Sequence, residues 1–122
     1  MVIGFDIDDT ITRHPAFFAF LSRALRGAGH RVVVITYRED RARAAADLEG
    51  WGFVWDELVC STVDLCLSCG VHEWKAVVCR EKGVEVFFED EPAVLRHVDD
   101  SVVCLMPVDR NYHLLETVNG LM

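Results

Sequence analysis

The feature that most constrains the fold is the junction, within the first ten residues, between an apolar run and a group of acids. Residues 2–5 are apolar and partly β-branched, which predicts a short buried strand. Asp6 and Asp8 follow at once, and an unpaired carboxylate is costly to bury. We therefore expect both acids at the carboxyl end of that strand, where open α/β sheets bind their ligands. If the extended conformation persists through Asp8, the two side chains share one side and require a cation or a proton.

Strands and helices alternate along the rest of the chain, which predicts a parallel sheet with helices on both faces. Near-continuous apolar runs are typical of parallel strands, because both of their faces are covered. The predicted fold is α/β, a single Rossmann-like, three-layer domain with a five-stranded parallel sheet. Further strands are expected at 31–36, 58–60, 84–88 and 101–105, helices at 15–27, 41–48, 72–81 and 92–98, a loop-like segment at 61–71 and a short helix after residue 109.

Length and charge narrow the possible functions. A chain of 122 residues is expected to form one domain over residues 1–122. The net charge of −8 disfavours a general nucleic-acid binder, since a phosphate backbone requires a basic surface. No apolar run is long enough to span a bilayer, and residues 1–12 lack the basic segment of a signal peptide. Five cysteines, an odd number, suggest reduced thiols and hence a cytoplasmic protein without a membrane partner.

Residues 6–10, Asp-Ile-Asp-Asp-Thr after an apolar strand, resemble the first motif of the haloacid dehalogenase (HAD) superfamily, which consists mostly of Mg²⁺-dependent phosphatases. Three further positions resemble the other motifs of the family, and they occur in the same order along the chain. Thr36 ends the second predicted strand, Lys75 lies early in the helix before the fourth strand, and an acidic group that begins at Glu89 follows that strand. The sequence departs from the family where Glu89 replaces the more common Asp and Asp9 replaces the more common Gly.

The resemblance implies a phosphomonoesterase that works through an aspartyl-phosphate. Asp6 is the implied nucleophile, and Asp8 is the implied general acid and base. Thr36 is expected to hydrogen-bond the phosphoryl group. Lys75 is expected to hold the nucleophile and the phosphoryl oxygens in register and to offset their negative charge.

The resemblance also implies one Mg²⁺ ion at the acidic residues. The ion is expected to contact Asp6, the backbone carbonyl of Asp8, and Asp90, while Glu89 is expected one step further away or behind a water molecule. Arg38, two residues beyond Thr36, is placed to face the same cleft. The expected contacts of the phosphoryl group are therefore Ile7, Thr10, Thr36, Arg38 and Lys75.

Several alternatives remain open from the sequence. Residues 6–10 also fit a strand and an acidic turn in which a threonine caps a helix, and Lys82 is a rival of Lys75. A catalytically silent HAD-like module that binds metal or a partner is the alternative to a phosphatase. The motif C-x5-C-x2-C-x2-H offers the ligand types of a structural Zn²⁺ site, although its spacing is a weak signal; its members are Cys60, Cys66, Cys69 and His72.

The connections after the first motif and before Lys75 are too short for the cap domain that many members of the family carry. Members without a cap tend to act on large or protruding phosphates or to use a neighbouring subunit as a lid. The resemblance thus brings a homo-oligomer or a macromolecular substrate into view, whereas the negative charge favours a phosphorylated small molecule over a polynucleotide. Arg13, His14 and residues 109–111 are expected at the edge of the sheet where substrate binds.

Overall fold

The structure is a computed structural model, and it describes residues 1–107. The strands are β1 (Val2–Phe5), β2 (Arg31–Thr36), β3 (Glu57–Cys60), β4 (Val86–Phe88) and β5 (Val103–Leu105). The helices are α1 (Pro15–Gly27), α2 (Arg41–Trp51), α3 (Val63–Cys69), α4 (Trp74–Lys82) and α5 (Pro92–Leu95), and a 3₁₀ turn at Ile11–Arg13 precedes α1.

The five strands within residues 1–107 form one all-parallel sheet in the order β3-β2-β1-β4-β5. Phe5 of β1 pairs with Val34 of β2 on one side and with Phe88 of β4 on the other. The chain runs outward from β1 to β3 and returns to the opposite side of β1 at β4. The strand order therefore reverses between β1 and β4, and the carboxyl ends of these strands flank the crevice where such sheets bind ligands.

Alternation along β2 divides the core into two halves, one on each face of the sheet. Val32 and Val34 belong to a cluster that includes buried residues of α1 and α2. Val33 and Ile35 belong to a second cluster that includes buried residues of α4 and α5. Both faces are covered by helices, as a parallel sheet requires. The predicted α/β fold with helices on both faces is confirmed, and no cap domain is inserted within residues 1–107.

The prediction of a loop over residues 61–71 is wrong, because α3 occupies most of this segment. Thr62 caps the helix, and its Oγ1 accepts a hydrogen bond from the amide of Leu65 at 3.0 Å. The helix has no buried residue. Leu65, Cys66 and Cys69 pack partly against the core, whereas Val63 and Leu67 are exposed. Apolar residues thus lie on both sides of a seven-residue helix and give no clear helical period.

Several element boundaries differ by two or three residues from those expected. β4 begins at Val86 rather than at Val84, because the amide of Val84 still donates to the carbonyl of Cys79 and closes the end of α4. α5 ends at Leu95, three residues early. The predicted helix after residue 109 lies outside the described residues. None of the helices in the described part of the chain is long and apolar enough to cross a membrane.

Candidate active site

The carboxyl ends of β1, β2 and β4 carry the polar residues that the sequence singled out. Asp6 follows β1 directly, and its amide donates to the carbonyl of Phe88 at 2.9 Å. Thr36 is the last residue of β2, while Glu89 and Asp90 follow β4. Because neighbouring parallel strands end at the same edge, the fold brings these side chains to the crevice where the strand order reverses.

Lys75 is the buried cation of this site. It enters from the first turn of α4, and its side chain is fully buried. The ammonium Nζ donates to Asp6 Oδ1 at 2.8 Å and to Glu89 Oε1 at 2.7 Å. Burial by itself would lower the pKa of Lys75, but the two carboxylates outweigh burial and the pKa of Lys75 is raised. The lysine therefore remains charged. Lys82, the rival of Lys75 in the sequence, pairs with Glu57 at the surface instead.

Asp6 is held at both of its carboxylate oxygens. Lys75 occupies Oδ1, and the hydroxyl of Thr10 donates to Oδ2 at 2.9 Å. Burial raises the pKa of Asp6, the charge of Lys75 opposes that rise, and the charge of Glu89 adds to it. Asp6 thus has a fixed orientation in an environment where negative charge is in excess.

Asp6, Glu89 and Asp90 form a group of potential metal ligands, with one carboxylate oxygen of each within 4.8 Å of the others. Both oxygens of Glu89 already have partners, since Lys75 occupies Oε1, and Oε2 accepts from the amide of Asp90 at 2.9 Å and from that of Glu91 at 3.2 Å. Asp90 accepts from the hydroxyl of Thr10 at the longer distance of 3.5 Å. Asp90 is accordingly the less engaged of the two acids that follow β4.

Asp8 does not share the buried side of Asp6. The strand ends at Phe5 and the chain turns after Asp6, so the extended conformation does not persist through Asp8. The side chain of Asp8 is 56% exposed, and Arg38 donates to both of its oxygens, from Nε at 2.9 Å and from Nη2 at 2.8 Å. These hydrogen bonds lower the pKa of Asp8, against a smaller opposing effect of burial.

Two residues near the site, Tyr37 and Asp47, were not predicted from the sequence. The ring centroid of Tyr37 lies 4.5 Å from Lys75 Nζ, and the tyrosine hydroxyl donates to the carbonyl of Val71 at 2.7 Å. Asp47, on α2, accepts from Arg38 Nη1 at 2.6 Å. The proximity of Tyr37 to Thr36 was the one available hint, whereas Asp47 reaches the site only through the packing of α2.

The possible Zn²⁺ site is not formed. Among residues 1–107, the three acids above are the group whose ligand atoms converge, so Cys60, Cys66, Cys69 and His72 do not bring three ligand atoms together in this way. Cys66 and Cys69 lie on α3, which was expected to be a loop, and both pack partly against the core. All five cysteines are free thiols.

The residues expected at the substrate edge have structural contacts of their own. Arg13 Nε donates to the carbonyl of Asp9 at 2.6 Å. His14 caps α1, because its Nδ1 accepts from the amide of Phe17 at 3.2 Å. Residues 109–111 lie outside the described residues.

Comparisons with known proteins support the fold alone. No family model matches the chain, and no curated protein matches it in sequence. A chain in the solved structure of the Pnkp1/Rnl/Hen1 RNA repair complex is similar in fold, with a TM-score of 0.65 and 17% sequence identity. The match covers 87% of this chain and 42% of that chain, so the present chain spans less than half of its neighbour's length.

Proposed function

We propose that this chain is a Mg²⁺-dependent phosphomonoesterase of the HAD type, a phosphatase that acts through an aspartyl-phosphate on Asp6. The observation that carries the proposal is the buried bridge from Lys75 to Asp6 and Glu89 at the reversal of the strand order. Removing such ions from water costs several kcal/mol per ion, and apolar residues of similar volume are often at least as stable. A charge cluster that costs stability at a ligand-binding edge is typical of a site kept for chemistry.

The residues present fit a hard divalent cation. Asp6, Glu89 and Asp90 offer oxygen ligands, which Mg²⁺ prefers, and their three negative charges exceed the single positive charge of Lys75. Asp6 and Asp90 are the direct ligands that we assign, together with the backbone carbonyl of Asp8. When bound, the ion would supply charge neutralisation at the phosphoryl oxygens. Glu89 is left to hold Lys75 and the backbone after β4.

The proposed reaction has two steps that both use Asp6 and Asp8. In the first, a carboxylate oxygen of Asp6 forms a bond to phosphorus while the bond from phosphorus to the leaving oxygen breaks, and that oxygen takes a proton from Asp8. In the second, a water molecule attacks phosphorus and gives a proton to Asp8. The bond between Asp6 and phosphorus then breaks, which restores the carboxylate and releases phosphate.

The remaining site residues bind and orient the phosphoryl group. The charged Lys75 offsets the negative charge that Asp6 and the phosphoryl group bring together. The hydroxyl of Thr36, at the end of β2, and the amide of Ile7, in the turn after β1, are the neutral donors that we assign. Arg38 contributes a second positive charge at the mouth of the site.

A catalytically silent HAD-like module that binds metal or a partner is the second candidate, and one observation favours it. Arg38 holds both oxygens of Asp8, the residue that must exchange a proton with the leaving group. In a silent module this ion pair would be permanent. A phosphatase and a silent module that binds metal would both bind Mg²⁺, so turnover of a substrate is the property that distinguishes them.

The proposed substrate is a phosphorylated small molecule, because a net charge of −8 disfavours a polyanion. The structural neighbour belongs to an RNA repair complex, which makes an RNA end the competing substrate class. A homo-oligomer in which a neighbouring subunit forms the lid remains part of the proposal. So does a cytoplasmic location, which rests on the five free thiols.

Hydrolysis of p-nitrophenyl phosphate by the purified protein tests the proposal. We expect turnover that requires Mg²⁺, stops with a chelator and is lost in Asp6→Asn, an isosteric change that removes the nucleophile and relieves charge crowding without unfolding the protein. Retained turnover in Asp6→Asn would remove Asp6 as the nucleophile. Mg²⁺ binding without turnover of p-nitrophenyl phosphate, glycerol 2-phosphate or a 5′-phosphorylated oligoribonucleotide would favour the silent module.

A further inference from the structure

Hydrogen bonds hold both the backbone and the side chain of Arg38, although it lies at the mouth of the cleft. Its amide donates to Thr36 Oγ1 at 3.1 Å, and its carbonyl accepts from the amide of Ser61 at 3.1 Å. The backbone of Arg38 is therefore tied to the ends of both β2 and β3. Because the backbone of Arg38 is fixed at this position, its guanidinium group can take fewer orientations.

The guanidinium itself joins two carboxylates. Nε and Nη2 form a two-pronged contact with Asp8, and Nη1 donates to Asp47 Oδ2 at 2.6 Å. Charge-assisted bonds of this kind are stronger than neutral ones, and the planar fork of arginine fixes direction as well as distance. Asp47 lies one turn before the end of α2, a helix that is itself anchored in the core by Ala44 and Leu48.

Asp8 depends on this arrangement for its orientation. It lies in the turn after β1, and its side chain is more than half exposed. Among the described residues, the side-chain hydrogen bonds to its carboxylate come from Arg38. An exposed carboxylate without such a partner would sample many rotamers, and a misplaced general acid is a poor one.

We propose that Asp47 is a positioning residue that acts through Arg38 to direct Asp8 toward the leaving oxygen, and that the site is built for alkyl phosphomonoesters. The inference rests on the proposed phosphatase function and adds a residue and a substrate class to it. An arginine fork can keep one oxygen of Asp8 while the other oxygen gives its proton to the leaving group.

The substrate class follows from what the leaving oxygen needs. When the bond from phosphorus to oxygen breaks in an alkyl ester, the departing alkoxide is strongly basic and takes the proton of Asp8 as it leaves. A p-nitrophenolate ion is stable without that proton. In the first step, a dedicated anchor for the general acid therefore matters mainly for esters with poor leaving groups. In the second step, where Asp8 takes a proton from water, the anchor acts equally for every substrate.

The test compares two substrates in matched variants of α2. Asp47→Ala removes the anchor, and alanine is a favourable residue in a helix. Asp47→Asn keeps an acceptor for Arg38 without the charge. Glu49→Ala is the control, because Glu49 is an exposed acid on the same helix whose side chain has no contact with Arg38. We would measure kcat and KM for glycerol 2-phosphate and for p-nitrophenyl phosphate with saturating Mg²⁺.

We expect Asp47→Ala to lower kcat/KM, which reports the first step, by about tenfold to a hundredfold more for glycerol 2-phosphate than for p-nitrophenyl phosphate, because the second step is common to both substrates. Asp47→Asn should fall between Asp47→Ala and the wild type, and Glu49→Ala should match the wild type. Equal losses on both substrates would mean that Asp47 is merely structural. A faster variant would mean that Arg38 restrains Asp8 instead of directing it. Either result overturns the inference while leaving the phosphatase in place, whereas a wild type without Mg²⁺-dependent turnover overturns both.

Discussion

At the scale of single residues, Asp6 and Asp8 are held in place in opposite ways, Asp6 by buried contacts and Asp8 by an exposed ion pair. Asp6 is buried against Lys75 and Thr10, so its orientation is fixed at the cost of desolvation. Asp8, only two residues later, is exposed and is fixed by Arg38 instead. In the proposed mechanism, the constrained Asp6 would form the bond to phosphorus and the accessible Asp8 would transfer the proton.

The charge of Lys75 should be essential for folding as well as for activity. Lys75→Met leaves Asp6 and Glu89 without their buried cation. Because burial raises the pKa of both acids, each must stay charged without a partner or take up a proton, and we expect the free energy of unfolding to fall by about 3–5 kcal/mol in the absence of metal. Urea denaturation with a chelator present measures this. Lys82→Met is the matched control on the same helix, because its surface pair with Glu57 should be worth about 1 kcal/mol or less. Equal losses in the two variants would contradict the buried bridge.

The ion pair of Asp8 should make stability depend on pH at the acid end. Because Arg38 lowers the pKa of Asp8 in the folded state, the unfolded chain binds more protons at low pH. The contribution is present above the ordinary pKa of 3.8 and is lost as the pH falls through the lowered value. In metal-free buffer, the stability of wild type should therefore fall more steeply below about pH 4 than that of Asp8→Asn. Parallel curves from urea denaturation would show that the pair does not stabilise the fold.

At the scale of elements, the short connection from α3 to α4 sets the position of Lys75. Gly70 has a φ of 98°, and a Cβ atom there would overlap the carboxylate of Glu73. The carbonyl of Gly70 accepts from the amide of Trp74 at 3.1 Å, at the start of the helix that carries Lys75. The φ of 98° and ψ of 148° at Gly70 form a combination that is essentially restricted to glycine, and this residue joins α3, which has no buried residue, to the largely buried α4.

Gly70→Ala should consequently destabilise the protein, by about 1–2 kcal/mol from the backbone conformation and by more where Glu73 must move. Gly27→Ala is the control, because Gly27 ends α1 with no atom within 4 Å of the added Cβ and without a positive φ. That variant should be neutral or more stable, since alanine has the higher helix propensity. Thermal unfolding of both variants decides the matter, and equal stability of the two would count against this account of the connection.

The strands that form the site could be predicted from the sequence, whereas contacts that depend on how the helices pack could not. Each strand that enters the site was recognisable from its apolar run, and so was the polar residue at its carboxyl end, such as Asp6 directly after β1 and Thr36 at the last position of β2. Asp47 could not be named, because its contact with Arg38 depends on how α2 packs, which the local pattern does not contain. The prediction of a loop over residues 61–71 was wrong because α3 is only seven residues long and has apolar residues on its exposed side as well as on its packed side, so no helical period stands out.

At the scale of the whole molecule, the strand order brings distant parts of the chain to one place. Asp6 and Lys75 are separated by 69 residues, and they meet because β4 returns beside β1 while α4 packs against the sheet. The alternation of strands and helices predicted a parallel sheet, and the resemblance to the HAD superfamily implied that the motifs would share one edge of it. The burial of Lys75 between two carboxylates could not be predicted, because it depends on how α4 packs against the sheet. The exposed position of Asp8 could not be predicted either, because it depends on where β1 ends.

The most direct test of the central claim is to find the phosphoryl group on the protein. Wild-type protein would be mixed with p-nitrophenyl phosphate and Mg²⁺, quenched in acid and digested, and the peptides analysed by mass spectrometry. We predict the mass of one added phosphoryl group on the peptide that contains Asp6, and its absence from Asp6→Asn and from wild type treated with a chelator. Turnover that requires Mg²⁺ but leaves Asp6 unmodified at every quench time, with the label on another residue or on none, would contradict the account.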